Sequence, residues 1–159
     1  MPARGVEALV GVISDTHGLL RPEAVAALQG SHVIIHAGDI GRPEVVDKLR
    51  TIAPTHAVRG NVDTQEWAKA FPAAEAVQVG PLRLWLLHDI SLLDLDPVAG
   101  EFAAVIFGHS HKPSIETRDG VLYLNPGSAG PRRFKLPVTI ARLHVSGSAI
   151  QPEIVHLNV

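Results

Sequence analysis

Seven side chains that can bind metal ions follow short apolar segments of this chain. They are Asp15, His17, Asp39, Asn61, His88, His109 and His111. Asp15 and His17 stand two positions apart after the apolar residues 10–13, so their side chains can point to the same side. Two carboxylates, one amide oxygen and four imidazoles, without sulfur, suit Mn, Fe, Co, Ni or Zn better than calcium.

The number of candidate ligands favours two metal ions. Seven side chains exceed the needs of one ion, whereas two ions about 3.5–4 Å apart that share a carboxylate fit the set. Taken alone, Asp39 has an ordinary explanation as a turn residue, as has Asn61 beside Gly60. Five apolar segments that are each followed by metal-binding side chains are better explained by one shared site. The other histidines are interpreted as structural: His32, His36, His56, His144 and His156.

The first half of the chain alternates apolar segments with helical patterns. Pro22 suits the first turn of a helix that Gly30 ends, and Pro43 stands near the start of a second helix. Short β-branched segments before Asp15, around residues 32–36 and from Thr55 onward indicate strands. This alternation is typical of βαβ units with a largely parallel sheet, whose ligands bind at the carboxyl ends of the strands.

The second half is richer in hairpin signals. Gly80-Pro81 centres one hairpin, and Asp119-Gly120 is the strongest short turn signal of the chain. Residues 103–111 indicate another buried strand, residues 138–145 and 150–159 the last two, and residues 91–102 a short helix or an irregular connection. We expect a mixed α/β (α+β) fold with helices mainly early, antiparallel strands mainly late, and two sheets packed face to face with helices outside.

Composition bounds the class of protein. The chain has 159 residues, 46% hydrophobic and 19% charged, with a net charge of −2 and no cysteine. These values predict one globular domain over residues 1–159, without disulfides or thiolate metal sites. The charge argues against long nucleic acids and membrane surfaces as partners. Without a membrane-length apolar run or a signal-peptide pattern, we expect a cytoplasmic location.

The ordered motifs resemble the calcineurin-like metallophosphoesterase superfamily. The motifs are DTH, GDI, GNVD, His88, GHSH and NPGS, between Ile13 and Ser128. The short length resembles the small bacterial and archaeal phosphodiesterase branch, which is related to the retromer scaffold subunit. The resemblance implies a four-layer α-β-β-α sandwich of two mixed β-sheets flanked by helices.

The resemblance also implies a role for each ligand. Asp15, His17, Asp39 and His111 would hold the first of two divalent ions. Asp39 would bridge to the second ion, completed by Asn61, His88 and His109. Manganese is the first choice of metal, with Ni, Co, Fe and Zn as alternatives. Asp39, Asn61 and His88 are the candidate catalytic residues, and a metal-bridging hydroxide is the expected nucleophile.

Two positions depart from the superfamily pattern. Larger members carry GNH where this chain has Gly60-Asn61-Val62, and Val62 cannot donate a proton to a leaving group. Asp89 follows His88 where a glycine is common, so it is either solvated or a hydrogen-bond partner of a ligand. The sequence leaves open whether Arg59, Arg132 and Arg133 contact phosphate.

The expected function is metal-dependent hydrolysis of a small phosphodiester, with a nucleotide-like substrate among the options. The alternatives are a non-catalytic interaction scaffold of the same fold and a phosphomonoesterase or nucleotidase. A complete ligand set argues against the scaffold. The pattern is compatible with a homo-oligomer.

Overall fold

The computed structural model describes residues 7–159. The first six residues, on which part of the signal-peptide prediction rests, lie outside this range. The strands are β1 (Glu7–Ile13), β2 (Val33–His36), β3 (Thr55–Ala57), β4 (Ala74–Val79), β5 (Leu82–Leu87), β6 (Ala104–Ile106), β7 (Ser114–Arg118), β8 (Val121–Asn125), β9 (Thr139–Ser146) and β10 (Ala149–His156). The α-helices are α1 (Pro22–Leu28) and α2 (Pro43–Arg50), and 3₁₀ turns cover Glu66–Ala70 and Ile90–Leu92.

Ten strands form two mixed sheets of five. The first sheet has the order β10-β9-β1-β2-β3. Strands β1, β2 and β3 are parallel to one another, and β9 pairs antiparallel with both of its neighbours, β1 and β10. The second sheet has the order β4-β5-β6-β8-β7, in which β5, β6 and β8 are parallel. The predicted hairpins at Gly80-Pro81 and Asp119-Gly120 join β4 to β5 and β7 to β8. The predicted pair of mixed sheets is confirmed.

The main core lies between the two sheets. Val10 and Val12 of the first sheet share it with Leu84, Leu86 and Ile106 of the second, all without exposed surface. A second cluster lies under the helices, where Ile13 and Ile34 meet residues of α1 and α2. Strand β1 is therefore covered on both faces, which explains why its sequence is continuously apolar rather than alternating.

The two helices begin where their sequences predict. Pro22 and Pro43 occupy the first turns, where a missing backbone N–H costs nothing. Helix α2 buries Val45, Val46 and Leu49 at helical spacing. No helix in residues 7–159 is long and apolar enough to cross a membrane.

The outer face of the second sheet is thinly covered. Trp85, Leu87 and Val105 form a small apolar cluster there, against the 3₁₀ turn Ile90–Leu92 and Leu93. Residues 91–102 otherwise form turns, so the irregular connection was the correct alternative. Both α-helices cover the first sheet, and the layer outside the second consists of this turn and its connection. The Trp85 side chain of β5 is therefore only partly buried.

Candidate metal centre

Five loops at one edge of the sandwich carry the seven predicted ligands. The loops follow β1, β2, β3, β5 and β6. Hydrogen bonds across the sheets join them: the His109 N–H donates to Asp15 Oδ2 (3.2 Å), and His88 Nδ1 lies 2.7 Å from the Ala37 carbonyl oxygen. The structure thus brings together the segment ends that the sequence predicts to meet.

Five of the side chains form a largely buried centre. Two groups of three, each with ligand atoms within 4.8 Å of one another, are Asp15 with His17 and His111, and Asp15 with Asp39 and His88. Asp39 Oδ2 lies 3.2 Å from His88 Nε2 and 3.6 Å from His17 Nε2. Asp15 Oδ1 lies 3.4 Å from His111 Nε2. The two groups share Asp15, whereas Asp39 Oδ2 lies between a histidine of each.

Asn61 and His109 lie at the open rim of this centre. Asn61 Oδ1 is 3.3 Å from His109 Nδ1. The His109 ring packs edge to face on the His88 ring, with centroids 5.2 Å apart. Both rim residues are exposed. They therefore connect the buried centre to solvent, where a substrate can approach.

Each buried carboxylate has one oxygen held by the protein and one directed into the centre. Asp15 Oδ2 accepts hydrogen bonds from Ser14 Oγ (2.7 Å) and the His109 N–H. Asp39 Oδ1 accepts one from the Val62 N–H (3.1 Å). The inward atoms are Asp15 Oδ1 and Asp39 Oδ2. This arrangement fixes the orientation of both carboxylates and leaves one oxygen of each for a cation.

The unpartnered atoms of the centre fit a metal ion. Asp15 Oδ1 and His88 Nε2 are buried without a hydrogen-bond partner, although buried polar atoms are almost always partnered. His88 donates its Nδ1–H to the Ala37 carbonyl, which leaves Nε2 facing the carboxylates. Metal-ligating histidines typically donate their other ring N–H to such an acceptor.

Backbone strain is concentrated at the same residues. Asp15, His17, Asp39, His109 and His111 have φ angles between 47° and 75°, the left-handed region. Such conformations cost about 1–3 kcal/mol each and persist where surrounding structure determines them. Five of the eight described non-glycine residues with positive φ are thus candidate ligands. This coincidence is independent evidence for a functional site.

Opposite charges set the protonation of Asp39 and His88. Burial opposes ionisation of Asp39, but the His88 side chain and the Val62 N–H outweigh it and lower the pKa of Asp39 to about 2. Burial likewise opposes protonation of His88, yet Asp39 and Asp15 together raise the pKa of His88. Without a metal, His88 therefore retains a proton to a higher pH than a free imidazole does.

Asp15 and His111 respond mainly to burial. Desolvation raises the pKa of Asp15 despite the Ser14 hydrogen bond. Desolvation also lowers the pKa of His111 to about 4, helped by the Arg133 charge. His111 is therefore neutral near pH 7 and ready to bind a cation.

His36 is fixed as a neutral, structural ring below the centre. The Thr16 hydroxyl donates to the Ile40 carbonyl, so it accepts from His36 Nε2–H at 3.0 Å. His36 Nδ1 accepts the Gly38 N–H. Complete burial lowers the pKa of His36 to about 3. Both ring nitrogens are engaged, in agreement with its interpretation as structural.

Asp63 is a positioning residue that the sequence interpretation missed. Its buried carboxylate accepts three backbone N–H groups, from Ile40, Gly41 and Gly60, each at 2.9 Å. It thereby ties the loop after β3 to the loop that carries Asp39. The signal was the acidic residue closing GNVD, which the sequence interpretation noted without assigning a role.

The positions with open roles have separate contacts. Asp89 Oδ1 accepts from the Ser91 N–H at the 3₁₀ turn, while Oδ2 lies 3.9 Å from His109 Nε2. Arg59 Nη1 donates to the Phe71 carbonyl, and Arg132 Nη2 to that of Val159. In the NPGS motif, Asn125 Nδ2 donates to the Gly108 carbonyl and Ser128 Oγ to that of Asp15, which stabilises the loops after β6 and β1.

Residues 9–148 match the family model of the calcineurin-like phosphoesterase superfamily domain. The chain belongs to this superfamily. The resemblance seen in the sequence motifs is thereby confirmed. Membership supports hydrolase activity on phosphoester bonds and implies divalent metal ions.

Relatives cover nearly the whole chain. A probable metallophosphoesterase of Methanothermobacter thermautotrophicus is 32% identical, with 92% of this chain and 91% of the relative aligned. The structure of an archaeal phosphodiesterase superposes with a TM-score of 0.79 at 26% identity, covering 94% of this chain and 99% of the other. Vacuolar Protein Sorting 29 of Cryptosporidium parvum shares the fold, with a TM-score of 0.76, 19% identity and coverage of 95% and 98%.

Replacing Asp63 with Ala should loosen both the fold and the metal centre. The buried Ile40 N–H and the partly buried N–H groups of Gly41 and Gly60 lose their acceptor, so we expect a loss of about 1–3 kcal/mol in the free energy of unfolding and weaker Mn²⁺ binding. Urea unfolding and calorimetric metal titration measure these effects. Asp47→Ala, at an exposed position of α2, is the control. Wild-type metal affinity in Asp63→Ala would contradict the positioning role.

Metal affinity should fall on acidification because of His88 rather than His111. Binding at Nε2 must displace the proton that Asp39 and Asp15 stabilise on His88, so affinity drops by about tenfold per pH unit below that raised pKa. His111, with a pKa of about 4, contributes no such loss near neutrality. Calorimetry in buffers of different ionisation enthalpy measures the proton release. Binding without proton release at pH values below about 6.5 would refute this assignment.

Proposed function

We propose that this protein is a phosphodiesterase that acts with two divalent metal ions. The observation that carries the proposal is the convergence of two inward carboxylate oxygens and three imidazole Nε2 atoms, two of these five atoms buried without a partner. Membership of the superfamily and the similarity to an archaeal phosphodiesterase support it. Residues 1–159 would act as one domain.

We assign the ligands to the two ions as the family resemblance implies. One ion takes Asp15, His17, Asp39 and His111, and the other takes Asp39, Asn61, His88 and His109. Asp39 is assigned the bridge because its Oδ2 lies 3.2 Å from His88 Nε2 and 3.6 Å from His17 Nε2, whereas Asp15 Oδ1 lies 3.9 Å from each of these atoms. The two closest groups of three nevertheless share Asp15.

The chain's own residues define what the site can do. Bound divalent ions supply Lewis acidity and lower the pKa of a coordinated water to about 7. Asp15 and Asp39 offset only two of four positive charges, so the loaded centre attracts a phosphate. Asp39 and His88 hold the buried side, while Asn61 and His109 face the incoming ester at the rim. Arg59, which lies beside Gly60 and Asn61, has N–H groups left to meet a phosphate oxygen.

Manganese is the preferred metal of this proposal. Oxygen and imidazole ligands without sulfur suit Mn²⁺, and Ni, Co, Fe and Zn are the alternatives. Cytoplasmic location and oligomeric state stay predictions from the sequence. The scaffold alternative, suggested by the retromer relative, is decided by the experiment below.

Hydrolysis of bis(4-nitrophenyl) phosphate tests the proposal. We expect turnover that depends on added Mn²⁺ and ceases on chelation. Protein that binds two ions per chain yet hydrolyses neither this diester nor 4-nitrophenyl phosphate with any of the five metals supports the scaffold. Hydrolysis of the monoester alone supports the phosphomonoesterase.

Paired variants in the same assay test the bridge. Asp39→Asn should lose both ions by elemental analysis, and Asp15→Asn only one, because a bridging carboxylate serves two sites. If Asp15→Asn lost both ions and Asp39→Asn only one, the bridge would be Asp15, the residue that the two closest groups of three share.

Val62 predicts a strong dependence on the leaving group. It stands where larger members have a histidine, and its side chain is exposed at the rim, so it offers no proton. A general acid is worth about 10²–10⁴-fold, mainly for poor leaving groups. Rates should therefore fall steeply as the pKa of the leaving alcohol rises, and Val62→His should flatten the dependence. A flat dependence in the wild type would show that another residue supplies the proton.

A further inference from the structure

A pocket of about 380 Å³ opens directly beside the candidate metal centre. Three of its lining residues, Gly60, Asn61 and His88, belong to the loops of the centre itself. The rest of the lining comes from Arg59, from residues 73 and 74 at the start of β4, from β5 and from the connection that follows β5. Its volume lies within the range of about 300–1,000 Å³ typical of small-molecule sites. A group attached to a phosphate at the centre can therefore extend into it.

The wall of this pocket is apolar. It includes Ala74, Trp85, Leu87 and Leu92. The Trp85 ring packs edge to face on Phe102, with centroids 5.5 Å apart. Its Nε1 is buried without contact to solvent, so Trp85 presents carbon surface to the pocket. A broad aromatic surface of this kind favours a flat apolar group, because aromatic pairs gain beyond simple burial.

The charges around the pocket argue against a second anion. Arg59 contributes one positive charge, while Asp89 and Asp94 contribute two negative charges. Asp89 is fixed by hydrogen bonds from the Ser91 N–H and hydroxyl. The pocket therefore has a net negative lining beyond the metal centre, which disfavours an additional phosphate or carboxylate.

We propose that this pocket binds an uncharged aromatic ring carried by the phosphoester substrate. The inference rests on the proposed function, because the metal centre must hold the phosphate. It assigns the substrate class: esters with a neutral, planar organic group rather than alkyl, polyphosphate or carboxylated esters. Trp85 and Leu92 determine this specificity, and neither acts on the phosphorus.

Phosphonates that cannot be hydrolysed separate this inference from the proposed function. Methylphosphonate reports on the metal centre alone, and phenylphosphonate adds one ring. With Mn²⁺-loaded protein, calorimetry should show phenylphosphonate binding about tenfold more tightly or better, as burial of a ring predicts. 4-Carboxyphenylphosphonate should lose this advantage. Equal dissociation constants for the methyl and phenyl compounds would overturn the pocket while leaving the metal centre intact. If neither phosphonate binds, the proposed function of the metal centre is refuted, and this proposal with it.

Variants of the pocket wall test whether it is responsible for the gain in affinity from the phenyl ring. Trp85→Ala and Leu92→Ser should each reduce the ratio of phenylphosphonate affinity to methylphosphonate affinity severalfold. Leu92 is exposed, so packing of the fold does not require its side chain. Trp67→Phe, which lies outside the pocket, should leave the ratio unchanged. Because the chain has two tryptophans, Trp67→Phe also makes Trp85 the sole tryptophan, whose fluorescence should respond to phenylphosphonate but not to methylphosphonate. An unchanged ratio in Leu92→Ser together with an unresponsive Trp85 overturns the proposal.

Discussion

The site depends on backbone pairing between the two loops that follow β1 and β2. Asp15 donates its N–H to the Gly38 carbonyl (3.0 Å), His17 to that of Asp39 (2.9 Å), and Gly18 to that of Ile40 (2.8 Å). The parallel register of the strands thus continues into the loops, where ordinary loops would separate. This pairing holds three ligand residues in left-handed conformations that they would leave if free. Gly38 is required here, because a Cβ would come within 2.6 Å of His88 Nδ1 at a φ of +101°.

Much of this arrangement could be predicted, because strand ends carry the ligands. The continuous apolar character of β1 and β2 predicts buried parallel strands, and parallel strands present their carboxyl ends at one edge. In the second sheet, His88 after β5 and His109 and His111 after β6 likewise stand at the carboxyl ends of parallel strands. The hairpins were predictable because Asp-Gly and Gly-Pro constrain the backbone locally.

The rest depends on contacts between residues far apart in the chain. Asp63 gains its role only when the loop after β3 meets the Gly41 N–H, 22 residues away. Which oxygen of Asp15 faces inward depends on His109, 94 residues away. The pocket beside Trp85 exists because the second sheet has a thin outer layer. No local sequence pattern indicates these long-range contacts. The sequence therefore predicts the metal ligands better than the residues that position them.

The left-handed conformations have a consequence for how these positions can change. Aspartate and histidine, together with asparagine, are several-fold enriched among non-glycine residues with positive φ. The residue types that the metal chemistry needs are therefore the types that the backbone already accepts at positions 15, 17, 39, 109 and 111. A descendant that abandoned the chemistry would still be held to a narrow set of residues there by conformation alone. Retention of such residues in a chain of this fold is thus weaker evidence for activity than retention at Asn61 or His88, where φ is not positive.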